Sequence, residues 1–201
     1  MVQRAAHLRL TFLDLLEVGG RGVRGIALVT DARTVPVELR VTDPVVPTQW
    51  QRALYGAAFD DHAVLDLVAL PLVRALREES AMLLVRAPRL LRVQERVSMP
   101  VLWLGRQDDL VPIADAEEPG FLLAARDNRF PPVVALGFRG RHEETRVACE
   151  LLQRVLQRSD ILEPFARIRS AFAQLEAGEV GADGVRGQAD VEADVWQRGR
   201  T

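Results

Sequence analysis

The chain has 201 residues, enough for one domain of ordinary size with a fully buried core, and its 48% apolar and 27% charged content is a normal globular balance. The 26 basic residues are all arginine and face 28 acids, so the formal charge of -2 gives no general pull toward nucleic acid or anionic membrane. A single cysteine, Cys149, excludes an intramolecular disulfide and a cysteine-based zinc cluster.

The first twenty residues, MVQRAAHLRLTFLDLLEVGG, lack a signal-peptide pattern, because Arg9 and Asp14 interrupt the apolar run and no small-residue cleavage site follows. No stretch reaches the ~18 uninterrupted apolar residues of a membrane span. A cytoplasmic location is therefore expected. After the apolar segment 8–18, Gly19, Gly20, Gly22 and Gly25 punctuate the entry to "GIALVTD". Phosphate-binding glycine loops follow a strand, whereas these precede one, so they read as a turn.

"GIALVTD" and "VPVELRVT" are β-branched runs bounded by turn formers. The second alternates, with Val35, Val37, Leu39 and Val41 on one face and Glu38, Arg40 and Thr42 on the other. With Asp31 to Thr34 as the loop, they predict an antiparallel hairpin. Pro44 and Pro47 forbid a helix across "DPVVPT". Thr48 then reads as the N-cap of a short helix ending at Gly56.

Asp60-Asp61-His62-x3-Asp66 opens a longer expected helix, about 61 to 79, which Pro71 is expected to kink or split in two. His62 and Asp66 share a helical face and could form an acid/base or metal pair. Carboxylates ahead of a helix are also what its free N–H groups and positive dipole end require. No second histidine stands four residues away, so the reading of this cluster is structural and no metal site is assigned.

"AMLLVRAPRLLRVQERVSMPVLWLG" contains two nearly uniform apolar runs, 81–85 and 99–104, around a short helical segment. Uniform apolarity implies strands covered on both faces, here joined as a compact parallel βαβ unit. "FLLAARDNRFPP" has no clear assignment. "VVALGF", 133–138, reads as another buried strand, and helices are expected over 142–158 and 161–177. The second keeps Ile161, Leu162, Phe165, Ile168, Phe172 and Leu175 at helical spacing. Residues 178–201, rich in Gly, Asp, Glu and Ala, are expected to form an unfolded acidic tail. The fold expected is a single α/β domain over 1–177, a mixed sheet with an N-terminal antiparallel hairpin plus a parallel βαβ core, helices covering the sheet.

Motifs that would fix a chemistry are missing. There is no G-x-x-x-x-G-K-[ST], G-x-G-x-x-G after a strand or G-x-S-x-G, and no cofactor is indicated. The element order parallels zinc-dependent nucleoside deaminases, whose helices carry H-x-E and P-C-x-x-C. Here those places read His62-Ala63-Val64 and Pro88-Arg89-Leu90-Leu91-Arg92, without the glutamate or either cysteine, so that chemistry is excluded.

Two sites are expected instead. Ligands of open parallel sheets bind beyond the carboxyl ends of the strands. If the three apolar runs are parallel, Arg86, Arg106 and Arg139 emerge on one edge, joined by Arg141 and His142 at a helix start, as an anion site. Asp108 and Asp109 in the adjoining loop supply a metal ligand or a base. In the tail, Val195 and Trp196 suggest a docking peptide. The leading expectation is a non-catalytic binding or accessory subunit of an intracellular assembly. It has a protein partner, an anionic small molecule as a possible ligand, no membrane association, and nucleic acid as an unlikely partner. The alternative is an enzyme acting on a phosphorylated or nucleotide substrate at the carboxyl edge of the parallel sheet.

Overall fold

The computed structural model describes residues 8–18, 22–46, 48–56, 62–109 and 112–180. Its strands are β1 (Arg9–Val18), β2 (Gly22–Asp31), β3 (Pro36–Val41), β4 (Leu83–Val85), β5 (Val101–Gly105), β6 (Phe121–Leu123) and β7 (Val133–Gly137). They form one sheet in the order β3-β2-β1-β4-β5-β7-β6. β1 pairs antiparallel with β2, and β2 with β3, while β1, β4 and β5 run parallel. The predicted hairpin and the parallel βαβ core are both present in this mixed α/β sheet.

Apolar side chains cover both faces of the central strands, which explains their uniform apolarity. Leu10, Phe12, Leu84, Leu102 and Leu104 pack under two helices, α3 (His142–Leu156) and α4 (Glu163–Val180). The Phe12 and Phe165 rings meet edge to face at 5.3 Å. Cys149 is buried in this layer, and burial pushes its thiol up to about 12, so it acts as a small apolar residue. On the opposite face, Leu13, Leu83, Val85, Val101 and Trp103 meet a π-helical turn (Ala63–Ala69), helix α2 (Leu70–Ala75) and a 3-10 helix (Pro88–Glu95).

Local sequence explains several details. Asp31 Oδ1 accepts the N–H groups of Arg33 and Val35 at 2.8 and 2.9 Å and closes the hairpin loop, in which Thr34 takes φ 62°. The Thr48 N–H and hydroxyl both donate to Gln51 Oε1, as expected for the start of helix α1 (Gln49–Tyr55). The helix expected over 61–79, kinked or split in two at Pro71, is a π-helical turn followed by α2, which ends at Ala75. Pro71 lacks an N–H and crowds the preceding turn, and the Leu70 N–H steps back five residues to the Leu65 carbonyl. Asp60 and Asp61 lie outside the described residues. The unassigned stretch after Gly120 supplies β6, and α4 continues past Ala177 to Val180.

One expectation of direction is corrected. β7 is antiparallel to both β5 and β6. A parallel return needs a covering crossover of a dozen or more residues, usually a helix, and the described residues between β5 and β7 hold only a 3-10 turn (Gln107–Asp109) and β6. The chain therefore reaches the sheet margin as β6 and turns back inward.

No helix among the described residues is long and apolar enough to cross a membrane. Gln94 ties the 3-10 helix to β5 in a buried position, donating through Nε2 to the carbonyls of Val97 and Met99 at 3.2 and 3.1 Å and accepting the Val101 N–H at 2.7 Å. Replacing Gln94 with Leu strands that buried N–H, a loss of about 1–3 kcal/mol. A clearly lowered denaturant midpoint with an unchanged slope is the expected result, measured by urea unfolding.

Candidate functional site

β1, β4 and β5 point their carboxyl ends at one edge of the sheet. The inward row on the α3/α4 face runs Leu10, Phe12 and then Asp14 on β1. Continuing the same alternation brings Arg86 after Leu84 and Arg106 after Leu104. Leu13 pairs with Val85; Asp14 comes next on β1, and Arg86 directly follows β4. The apolar floor thus ends in charged groups at one level.

Asp14 is 2% exposed. Its Oδ2 accepts from Arg169 Nε of α4 at 2.9 Å and its Oδ1 from the Leu15 N–H at 3.0 Å. The Arg169 side chain is 56% exposed, so the pair reaches from the core into water. Arg24, opposite Leu16 on β2, lies on the same face as Ile26 and Leu28. Its guanidinium carbon sits 5.5 Å from the Phe172 ring centroid, and its buried Nε has no hydrogen-bond partner among the described residues.

Arg86 donates through Nη1 to the Leu104 carbonyl at 3.0 Å and through Nη2 to Asp109 Oδ2 at 3.1 Å. The Trp103 indole N–H holds the Arg86 carbonyl at 2.7 Å. Arg106 divides its guanidinium between the carbonyls of Pro131 and Pro132 and the Asp160 carboxylate, 3.0 Å away. The Arg106 N–H and then the Arg86 guanidinium hold the Asp109 carboxyl below its usual range. Asp108 is exposed on the same 3-10 turn.

The five residues expected to form one anion site are therefore split. Arg86 and Arg106 share the carboxyl edge with Asp109. Because β7 is antiparallel, with Gly137 opposite Leu102 at the start of β5, Arg139 leaves at the other end. There it pairs with Asp115, while Arg141 pairs with Glu144 at 2.7 Å. His142 lies beside Phe121, with ring centroids 5.5 Å apart. His62 forms a local pair with Asp66, Nδ1 to Oδ2 at 2.9 Å, and stacks on Tyr55 at 5.1 Å. No three His, Cys, Asp or Glu side chains among the described residues are grouped to hold a metal ion. Val195 and Trp196 lie outside the described residues.

Asp14, Arg24, Asp160 and Arg169 escaped the sequence reading. One signal was available for Asp14, an acid two residues beyond Phe12 and so on the core face of an apolar strand. A depression of about 430 Å³ borders the 3-10 turn at Gln107 and extends beside β6 between Pro112, Pro119, Leu122 and Leu136, and among the described residues no arginine lines it.

No protein-family model matches the chain, and no curated protein is similar to it in sequence. Among solved structures, the catalytic domain of human Endonuclease V is similar at 14% identity and a TM-score of 0.48, over 85% of this chain and 87% of that one. Endonuclease V of Ciona intestinalis, in complex with a 24mer DNA containing an inosine followed by a ribo-adenosine, gives 11% identity and 0.46, over 83% and 87%. Argonaute of Marinitoga piezophila, in complex with a 5' OH guide RNA, gives 9% and 0.36, over 81% of this chain and 28% of that one. These likenesses correct two expectations. Two of these neighbours are Endonuclease V, one of them with DNA bound; against that finding the accessory protein-interaction subunit and nucleic acid as an unlikely partner are both withdrawn.

The Asp109 contacts carry a pH signature. A carboxylate whose pKa is lowered by folding stabilises the fold above its unfolded value, near 3.8, and loses that contribution as pH falls through the lowered folded value. The Asp109→Asn protein should melt below wild type at neutral pH, and the two should converge in acid. Melting by circular dichroism across an acid series checks this.

Proposed function

We propose that the chain is an enzyme acting on a phosphorylated or nucleotide substrate, nucleic acid included, at the carboxyl edge of β1, β4 and β5. Asp14 is the observation that carries this reading. An apolar residue would pack on the central strand without desolvation, whereas a buried carboxylate loses several kcal/mol of hydration and depends on its partner to recover it. Among the described residues a single side chain holds Asp14, and that arginine is more than half exposed. A phosphate arriving at the edge competes with Asp14 for Arg169.

The roles follow from the chemistry of the groups. Arg24 and Arg169 present planar forks that match the non-bridging oxygens of a phosphate, while Arg86 is held by the Leu104 carbonyl and Asp109. Arg24 is the least committed of them, since its Nε has no partner among the described residues. Released from Arg169, the Asp14 carboxylate takes up a proton or orients an attacking hydroxyl. The location agrees with the general position of ligands in open sheets, beyond the carboxyl ends of parallel strands.

The test combines binding and turnover. Single- and double-stranded oligonucleotides and nucleoside phosphates are titrated at low salt by fluorescence anisotropy and thermal shift, with divalent cations in the turnover assay. Binding should weaken as salt rises. Arg24→Ala should weaken it about tenfold, the loss of one charge-assisted contact. Asp14→Asn should retain binding and lose turnover. Absence of binding to every phosphate-bearing ligand, or full turnover by Asp14→Asn, overturns the proposal.

A further inference from the structure

β3 is a free margin of the sheet, paired with β2 on one side and with no described strand on the other. The Thr42 N–H donates to the Gly25 carbonyl at 3.0 Å, which sets the backbone parity of the strand. Arg40 and Glu38 turn their backbone groups toward β2, and Val37, Leu39 and Val41 turn theirs outward. The same three residues place their side chains on the α3/α4 face, because Leu39 lies opposite Leu28 and Val41 opposite Ile26. Their row remains uncovered, with Val37, Leu39 and Val41 each 40–42% exposed.

Unpaired strand margins are normally guarded by charge. Here the charges of β3 lie on the other face and are already engaged. Burial raises the Glu38 carboxyl, but the Glu78 N–H, the Arg40 side chain and the Arg77 N–H outweigh it and hold it below its usual range. Glu38 Oε1 accepts from Arg40 Nε at 2.7 Å.

We propose that β3 is a homodimer interface, in which two copies pair β3 against β3, antiparallel, about a two-fold axis at Leu39. The segment Val37-Glu38-Leu39-Arg40-Val41 is complementary to itself under that rotation. Leu39 faces Leu39 of the second copy, Val37 faces Val41, and Glu38 faces Arg40. The outward N–H and C=O groups at 37, 39 and 41 are then the ones that bond. Neighbouring registers fail on simple grounds. A shift that moves the axis to position 40 sets arginine against arginine, and one to position 38 sets glutamate against glutamate. Intermediate shifts oppose outward to inward backbone groups and leave them unpaired. Pro36, which has no N–H, has the inward parity of Glu38 and so leaves the outer margin intact.

Sedimentation equilibrium of the full chain tests this, with twice the mass of one chain expected at micromolar concentration. Leu39→Arg should halve that mass while far-UV circular dichroism stays unchanged. Leu39→Cys should be captured as a covalent dimer by a short bis-maleimide, and Val37→Cys with Val41→Cys likewise. Val41→Cys alone should not, since its symmetry mate stands four residues along the strand, about 13 Å away. Cys149 is buried and its thiol is pushed up to about 12, so it does not compete. A single-chain mass at every concentration, a dimer that survives Leu39→Arg, or capture of Val41→Cys but not Leu39→Cys overturns the interface. If Leu39→Arg fails to fold, the cysteine variants decide.

Discussion

Covering β1, β4 and β5 with apolar side chains on both faces is the constraint from which the rest of the architecture follows. Leu83, Leu84 and Val85 are fully buried, and Val101 to Leu104 nearly so. Strands in that position satisfy their backbone groups only through neighbouring strands, so the trio must be flanked by further pairing. β2 and β3 provide it on one side, β7 and β6 on the other. Two helices on one face and the π-turn, α2 and 3-10 helix on the other supply the covering layers. Polar chemistry is thereby pushed to the strand ends and the sheet margins.

Among the charged side chains of the described residues Asp14 is the exception, and the charged edge is organised around the level at which it sits. Two arginines there are largely spent on architecture. Arg86 ties the end of β4 to the Leu104 carbonyl, and Arg106 ties the end of β5 to the proline carbonyls and to Asp160. Their many donors suit this work, since one guanidinium can join several acceptors. Arg24 and Arg169 are less bound by the fold, the first through an orphaned Nε and the second through its exposure. That division separates arginines that build the edge from those the fold leaves less committed. The β3 margin has the opposite character, with its charges turned to one face and an apolar row left on the other.

Most strands were legible where burial is uniform or strictly alternating, but β1, read only as an apolar segment, was not assigned as a strand. Residues 25–31 and 35–42 gave the hairpin, 81–85 and 99–104 the parallel pair, and 142–158 a helix, because side-chain periodicity reports which faces are covered. The π-turn was not legible, although Pro71 marked the place of the irregularity. β6 was missed because a three-residue margin strand, with Leu122 61% exposed, has too short a pattern to read. At the carboxyl edge, Arg86 and Arg106 were expected from strand-end position and Asp109 from the adjoining loop. Arg24, Asp160 and Arg169 were not, since each gains its meaning from a partner distant in the chain.

The sequence by itself determined the α/β class, the hairpin and the doubly buried pair, because those depend on the local period of apolar residues. The direction of β7 was decided only in three dimensions. An apolar pentapeptide is equally buried whichever way it runs, and the path of the connection sets its sense. That decision sent Arg139, Arg141 and His142 away from Arg86 and Arg106. It left Asp14, joined to Arg169 across 155 positions of chain, as the charge around which the edge is arranged.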